Sequence, residues 1–329
     1  MDLANRQSAL GHEVHVAGDP ASPLRQALAP SVQFHGLGRI LRGWRLRRLI
    51  ARLRPEVCHG HLSTACKALG RSAGSHRTVA TLHVGYKAHQ HARLDGLICV
   101  NHTQAARIND YTGTVRTIGN WQPAAPARAP QGIRAELGLS PQTFLVGAVG
   151  RLHASKGNDV LIEAFRAVAP ADAALVILGD GPQRKQLEKL RAGDDRIHFA
   201  GYRPDVHGCL RDLDLFVSPS REESFGLAIV EAMSVGVPII ATAAEGPVEF
   251  LRQQAAVLVP TGSVPALAAA LEQAHAQFCA GRLGRVSYDL SLFDPAARVA
   301  NIMDFYEQLA RPSYRRATVR AAAKVAVAT

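Results

Sequence analysis

Aromatic residues make up only 5% of this 329-residue chain. That is too few to stack successive bases, and it counts against a single-strand nucleic-acid reader. Cysteines are also few: Cys58, Cys66, Cys99, Cys209 and Cys279, an odd number with no CxxC pair. That argues against a disulfide framework or a zinc ribbon and fits reduced thiols in a cytoplasm. No apolar run approaches the length that spans a bilayer, and the N-terminus shows no signal-peptide pattern. Such a protein is expected to touch a membrane surface at most, not to cross it. No repeat with a period of roughly 20–50 residues is evident either, which excludes a solenoid.

What is present is ordinary for a soluble globular protein: 47% hydrophobic and 20% charged residues. The length suits two domains. The formal net charge of +11 asks for an acidic partner. A phosphorylated metabolite, phosphate-rich lipid and nucleic acid all qualify by charge, and the shortage of aromatics ranks nucleic acid last.

The second half is the more legible. Short β-rich runs recur at 144–150, 173–179, 196–202, 213–220, 238–244 and 255–260, with helical stretches between them. Strand and helix alternating in this way predict a parallel sheet covered on both faces. Such a sheet binds ligands in loops at the carboxyl ends of its strands. The first half repeats the scheme more loosely, with strand candidates at 12–18, 32–37, 56–62, 77–83, 96–101 and 114–120. The reading divides the chain into a domain over 1–122, a Pro/Ala-rich linker over 123–135 and a second domain over 136–292. A helix over 293–310 and a basic, frayed tail over 311–329 complete it.

The segment REESFGLAIVEAM (221–233) sets two carboxylates, Glu223 and Glu231, around a helix start. A helix N-terminus offers unpaired N–H groups and partial positive charge, so the amides of Ser224, Phe225, Gly226 and Leu227 suit a phosphate. The acids suit sugar hydroxyls. Read blandly, they are a cap and a first-turn charge. One anion at a helix start gains only ~0.3–1 kcal/mol, so a diphosphate needs cations nearby. GRLHASKG (150–157) offers them, with Arg151 directly after a strand and Lys156 before the next helix. GDGP (179–182), read alone, is a plain turn. GYRPD (201–205) closes another strand, where the backbone near Gly201 and Tyr202 suits a planar base.

Taken in order, GRL, KG, GDGP, FAG, PSREESFG and EAM with Gly236 and Pro238 resemble the nucleotide-sugar half of a GT-B glycosyltransferase of the large retaining family 4, glycosyl transferases group 1. The resemblance covers 144–260 most clearly. It implies an α/β fold of two Rossmann-like, doubly wound domains facing a cleft. It implies transfer of a sugar from a UDP- or GDP-type nucleotide-diphosphate sugar to an acceptor hydroxyl, with retention and without a metal or other cofactor. The roles implied are these. Arg151 and Lys156 neutralise the diphosphate. Glu231 holds ribose hydroxyls and Glu223 donor-sugar hydroxyls. The amides of Ser224 to Leu227 contact sugar and phosphate, and Gly201 and Tyr202 read the base. In the first half His83, at a strand end, corresponds to a histidine beside the donor sugar. His59 and His61 read equally well as satisfied structural histidines. With 14 histidines in the chain, an HxH pattern without a third ligand is poor support for zinc. The DLD at 212–214 reads as a helix end entering a buried strand, not as a metal triplet.

The family likeness suggests cell-surface polysaccharide or lipopolysaccharide synthesis on a saccharide or lipid-linked acceptor. A sugar epimerase or phosphorylase of the same fold is the enzymatic alternative. An inactive nucleotide-binding or membrane-surface scaffold is the alternative from another class. Two features bear on these. WRLRRLIARLRP (44–55) sets Leu46, Leu49, Ile50 and Leu53 on one helical face and arginines around the rest. That predicts packing on the first sheet, with a solvated face able to meet an anionic membrane surface on the cytoplasmic side. Members of this family also begin with a strand and a Gly-rich loop. Here Met1 falls inside the helix that follows them, so the first strand is expected to be absent and Met1 to be an internal start. The strands beside its central position are then expected to carry unpaired backbone groups.

Overall fold

The computed structural model describes residues 1–38, 40–72, 74–123, 132–168, 170–311 and 324–328. The chain forms two compact units, one of Met1–Gly119 with Pro295–Thr329 and the other of Asn120–Asp294.

The first unit opens with helix α1 (Asp2–Ala9), then β1 (Glu13–Gly18), β2 (Gln33–Gly36), α2 (Arg42–Leu53), β3 (Val57–His61), α3 (Ser63–Leu69) and β4 (Arg77–Leu82). It continues with α4 (Ala88–His91), β5 (Gly96–Cys99), α5 (His102–Ala106) and β6 (Thr114–Thr117). The second unit runs α6 (Ile133–Glu136), β7 (Phe144–Val149), α7 (Asn158–Val168), β8 (Ala173–Leu178), α8 (Arg184–Arg191) and β9 (Ile197–Gly201). Its remaining elements are α9 (Val206–Asp212), β10 (Leu215–Ser218), α10 (Leu227–Ser234), β11 (Ile239–Thr242), α11 (Glu245–Leu251), β12 (Val257–Val259) and α12 (Val264–Cys279). The chain returns to the first unit with α13 (Pro295–Ala310) and β13 (Lys324–Ala328).

The second unit's sheet is parallel, in the order β12-β11-β10-β7-β8-β9. Its central strands are apolar on both faces, as covered parallel strands must be: β8 is buried throughout and β7 all but its last residue. Phe144, Val146 and Ile177 of the sheet pack against Leu161 and Phe165 of α7 and Leu267 and Leu271 of α12. Ser263 caps α12 by accepting from the Ala266 amide. Of the expected linker, 124–131 lie outside the described residues, and 133–135 already belong to α6. The reason is local. Asp212 accepts from the Arg134 amide, and the Arg134 guanidinium meets Asp214 at 2.8 Å. Asp214 also accepts from the Leu145 amide. The DLD carboxylates therefore fasten α6 to the start of the sheet.

The first unit's sheet is parallel too, in the order β2-β1-β13-β3-β4-β5-β6. Leu46, Leu49 and Ile50 of α2 are buried against it, with Cys58, Ala80 and Leu97 in the same core. Two expectations fail here. The tail is not frayed over 324–328, and the central position is not open. β13 lies between β1 and β3, pairing Glu13 with Lys324 through Ala17 with Ala328, and Val57 with Val325 through Gly60 with Ala328. A central gap would strand the amides and carbonyls of two strands at once. A segment of alternating valine and alanine from the far end of the chain supplies the missing ladder. The rest of that tail, 312–323, lies outside the described residues. α13 packs beside this sheet, where Phe305 and Leu309 approach so closely that a β-carbon on Gly96 would lie 2.7 Å from Leu309.

Candidate active site

In the second unit the loops after β10, β7, β8 and β9 stand side by side, because those strands are neighbours. Their fit depends on glycines. At Gly179, with φ of +135°, a β-carbon would stand 1.9 Å from the Gly150 carbonyl oxygen. At Gly157, with φ of +63°, it would stand 2.1 Å from the carbonyl oxygen of Pro219. Any side chain at these positions would drive the loops apart. Backbone bonds complete the joint. The Leu152 amide donates to the Asp180 carbonyl at 3.0 Å, and the amides of Arg221 and Glu222 donate to the Ser155 carbonyl at 2.8 and 3.1 Å. GDGP is thus more than a plain turn, since it braces the loop that carries Arg151.

Lys156 and Glu223 meet across that joint as a hydrogen-bonded ion pair, the lysine side chain 29% exposed and the glutamate 16%. The two groups expected to serve diphosphate and sugar separately are therefore held against each other. Arg151 is exposed, and among the described residues its guanidinium has no partner. Sequence reasoning missed Arg221. Its guanidinium grips Asp159 through two bonds of 2.7 Å and donates to the Ala154 carbonyl. This fork holds the Asp159 carboxyl below its ordinary pKa. The adjacency of Arg221 to the PS-x-x-E pattern was the available signal, but nothing local names Asp159 as its partner.

Gly226, with φ of +94°, starts α10. The Phe225 side chain is buried against Phe250 and Phe293, at ring separations of 5.7 and 5.9 Å, so only its backbone is left for a ligand. Leu227 is partly exposed at the helix start. Ser224 belongs to the same turn, and its carbonyl lies against Gly246. Glu231 lies just over one turn into α10, half-buried, and burial pushes its carboxyl up to about 7. Among the described residues that carboxylate has no ion-pair or hydrogen-bond partner. Gly201 ends β9 with φ of +71°, and Tyr202 beside it is 79% exposed.

In the first unit, His83 follows β4 and is exposed. Its Nε2 lies 3.1 Å from His61 Nδ1, and His61 stacks on His59 with ring centroids 4.3 Å apart. His59 is buried, with Nδ1 bonded to the Tyr306 hydroxyl and Nε2 to the Thr81 hydroxyl. Both of its nitrogens are satisfied, which makes it structural. Burial, and then the His83 charge, lower its pKa to about 3. Desolvation and then the flanking imidazoles of His59 and His83 hold His61 well below the ordinary histidine value. Desolvation lowers His83 as well. The sequence offered no route to Tyr306, which lies 247 positions away.

A parallel α/β unit with two cations and two acids on its carboxyl rim has the make-up of a site for an anionic, hydroxyl-bearing ligand. The description "Glycosyltransferase Family 4" matches residues 1–121, and "Glycosyl transferases group 1" matches residues 143–277. The lipopolysaccharide core biosynthesis glycosyltransferase LpsD of Rhizobium meliloti (strain 1021) is 31% identical over 248 residues, 72% of this chain and 70% of that one. The mannosyltransferase LpsB of the same organism is 32% identical over 264 residues, 74% of this chain and 72% of that one. Among solved structures, Anabaena HepE with UDP and glucose superposes with a TM-score of 0.75 at 18% identity, covering 94% of each chain. The sucrose-phosphate synthase of Thermosynechococcus elongatus gives 0.73 at 22%, covering 93% of this chain and 91% of that one. The chain belongs to the group 1, family 4 glycosyltransferases and has their GT-B fold.

Proposed function

We propose that this glycosyltransferase moves a sugar from a UDP- or GDP-type donor to a hydroxyl of a cell-surface saccharide or lipid-linked acceptor, with retention and without a metal ion. The observation that carries this reading is the Lys156–Glu223 pair, held beside Arg151 at one strand rim. A donor diphosphate arriving there competes with Glu223 for Lys156. The lysine then swings its charge to the phosphate, and the released carboxylate is free to accept from donor-sugar hydroxyls. Arg151 adds a planar fork to the leaving diphosphate, and fixed cations aimed at developing negative charge are the means by which such a group can depart. Amides of the turn at Ser224 to Leu227 add partial positive charge. Glu231 takes ribose hydroxyls, and the backbone at Gly201 and Tyr202 takes the base. His83 is assigned to the donor sugar on the family likeness alone. For attack on the same face, the leaving phosphate accepts the acceptor's proton, which leaves Glu223 a positioning residue.

The relatives' names favour an acceptor in lipopolysaccharide core synthesis, and α2 favours work at the cytoplasmic face of a membrane. Among the described residues no helix is long and apolar enough to cross one. Arg45, Arg47, Arg48, Arg52 and Arg54 are nevertheless exposed on α2 and at its end, next to exposed Ile40, Leu41 and Trp44. That mixture suits an anionic lipid surface.

Calorimetry with UDP and GDP, together with turnover of their sugars, tests the assignment. Lys156→Ala and Arg151→Ala are expected to weaken nucleotide binding by about tenfold each. Glu223→Ala is expected to cost on the order of a hundredfold in kcat while nucleotide affinity holds. Equal loss of affinity in all three would overturn this division of roles.

A further inference from the structure

The first unit holds a second cluster of cations that donor chemistry does not use. A cavity of about 750 Å³ lies between β2 and α2, within the range of small-molecule sites. One wall is Phe34, His35 and Gly36, and the other carries Arg45, Arg48 and Arg52 with Trp44. Positions 45, 48 and 52 follow the i, i+3, i+7 spacing of one helical face, so the three guanidiniums share a stripe. Their apolar neighbour Leu49 is buried and anchors that face to the core. Arg48 lies over the Trp44 ring at 4.8 Å, and Arg25 lies over Phe34 at 5.6 Å.

Some arginines elsewhere in the molecule are matched by acids, as in Arg134–Asp214, Arg196–Asp194 and Arg221–Asp159. Here they are not. Among the described residues, no carboxylate lies within ion-pair distance of Arg45, Arg48 or Arg52. The nearby acids are engaged: Asp19 with Arg42 at 3.4 Å, and Glu13 with His15 at 3.0 Å. His35 cannot balance them, since an imidazole is neutral or positive; burial, then His15, then Arg52 lower its pKa and favour the neutral form. Its Nε2 is held by His15 Nδ1 at 3.0 Å. Three guanidiniums on one wall of a hollow, with no acid opposite, repel one another until an anion enters. Arginine's fork fits phosphate oxygens, and the Trp44 indole gives a sugar or glycerol body an apolar surface to lie on.

We propose that this cavity binds a phosphate ester, with Arg45, Arg48 and Arg52 as its anion clamp and Trp44 as the platform for the esterified body. The proposal deepens the sugar-transfer reading, on which its biological sense rests: it gives the acceptor-side unit an anchor for a phosphorylated acceptor. The same chemistry can come from a free sugar phosphate or from a phospholipid headgroup.

The full chain is first saturated with UDP or GDP, which fills the donor site, and then titrated with mannose 6-phosphate and with mannose. In parallel it is sedimented with phosphatidylglycerol or phosphatidylcholine vesicles. The expected result in solution is sugar-phosphate binding about tenfold tighter than neutral sugar. The Arg45→Gln/Arg48→Gln/Arg52→Gln variant is expected to abolish that difference while its nucleotide affinity and melting temperature hold. Should this triple variant melt lower, Arg48→Gln alone decides, with a partial loss expected. If only phosphatidylglycerol vesicles bind, and replacement of all three arginines by lysine weakens that binding, the ester is a headgroup. Vesicle binding retained by the lysine variant would mean diffuse charge and would overturn the clamp. So would wild-type affinity in the glutamine variant, or no binding in either arm. Failure of UDP and GDP to bind the wild type would instead strike the donor assignment and leave the cavity result standing.

Discussion

The two sheets have similar topology and are completed in different ways. In the second unit all six strands fall within one continuous stretch of chain, and each central strand is followed by the helix that covers it. In the first unit an interior strand, β13, arrives from the far end of the chain. The lesson concerns where information lies. A unit closed by consecutive βα steps can be read locally, because every strand announces its neighbour. A unit closed by a distant segment cannot, since five residues of β-rich sequence carry no address. The sites follow the same division. The loops of the candidate site are fastened by bonds between adjacent strand ends, whereas His59 is fixed by a hydroxyl from α13.

The sharpest way to break the comparison is Ala326→Pro. A proline in the central strand removes a ladder bond and should destabilise the first unit by ~3 kcal/mol or more. Hydrogen exchange is expected to show β1 and β3 losing protection while the second unit keeps its protection and its nucleotide affinity. If β1 and β3 stay protected, β13 is not what completes the sheet.

Next in size is His59→Phe, which leaves the hydroxyls of Tyr306 and Thr81 without their partner at a cost of ~2 kcal/mol. It also changes the pH response. A histidine lowered from 6.5 to about 3 stays unprotonated in the fold while the unfolded chain takes up a proton. Its contribution is complete above pH 6.5 and is lost as pH falls toward 3. Acid melts of the wild type should show that slope, and those of the variant should show less of it. An unchanged slope would remove His59 from the account.

Arg221→Ala sharpens the other side. It should lower melting only slightly, since the pair is partly exposed. Losing the fork on Asp159 and Ala154 should nonetheless loosen the loop carrying Lys156 and weaken UDP or GDP binding about tenfold. Unchanged nucleotide affinity would make this arginine ornamental.

The last is Glu231→Gln. A carboxyl raised from 4.5 to about 7 disfavours the fold once ionised, and that penalty grows as pH rises from 4.5 through 7. The variant should therefore melt higher than wild type at about pH 8 and alike below pH 4.5. Equal melting at both would mean that the carboxylate finds compensation.

Much of the second unit was legible. The runs at 144–150 and 173–179 are strands because they are apolar on both faces, and the Gly, Lys and Glu positions fall at their ends for reasons of loop geometry. The residues proposed for the donor were placed on that rim this way; Arg221 was not, because its partner Asp159 lies 62 positions back. Phe225 shows a subtler limit. It sits within the motif, yet its ring belongs to the core. Less of the first unit could be read. α2 was clear from its leucine spacing, but its arginine stripe became a cavity wall only when β2 was laid against it.

The order of elements, the buried faces and the chemistry on the strand rims follow from local periodicity and turn residues, which each segment carries within itself. The choice of β13 for the central slot, the closing of Lys156 on Glu223 and the clamping of His59 between two hydroxyls were settled only in three dimensions. They depend on which distant groups satisfy a stranded amide, a partly buried charge or a buried imidazole, and no short stretch of chain encodes that competition.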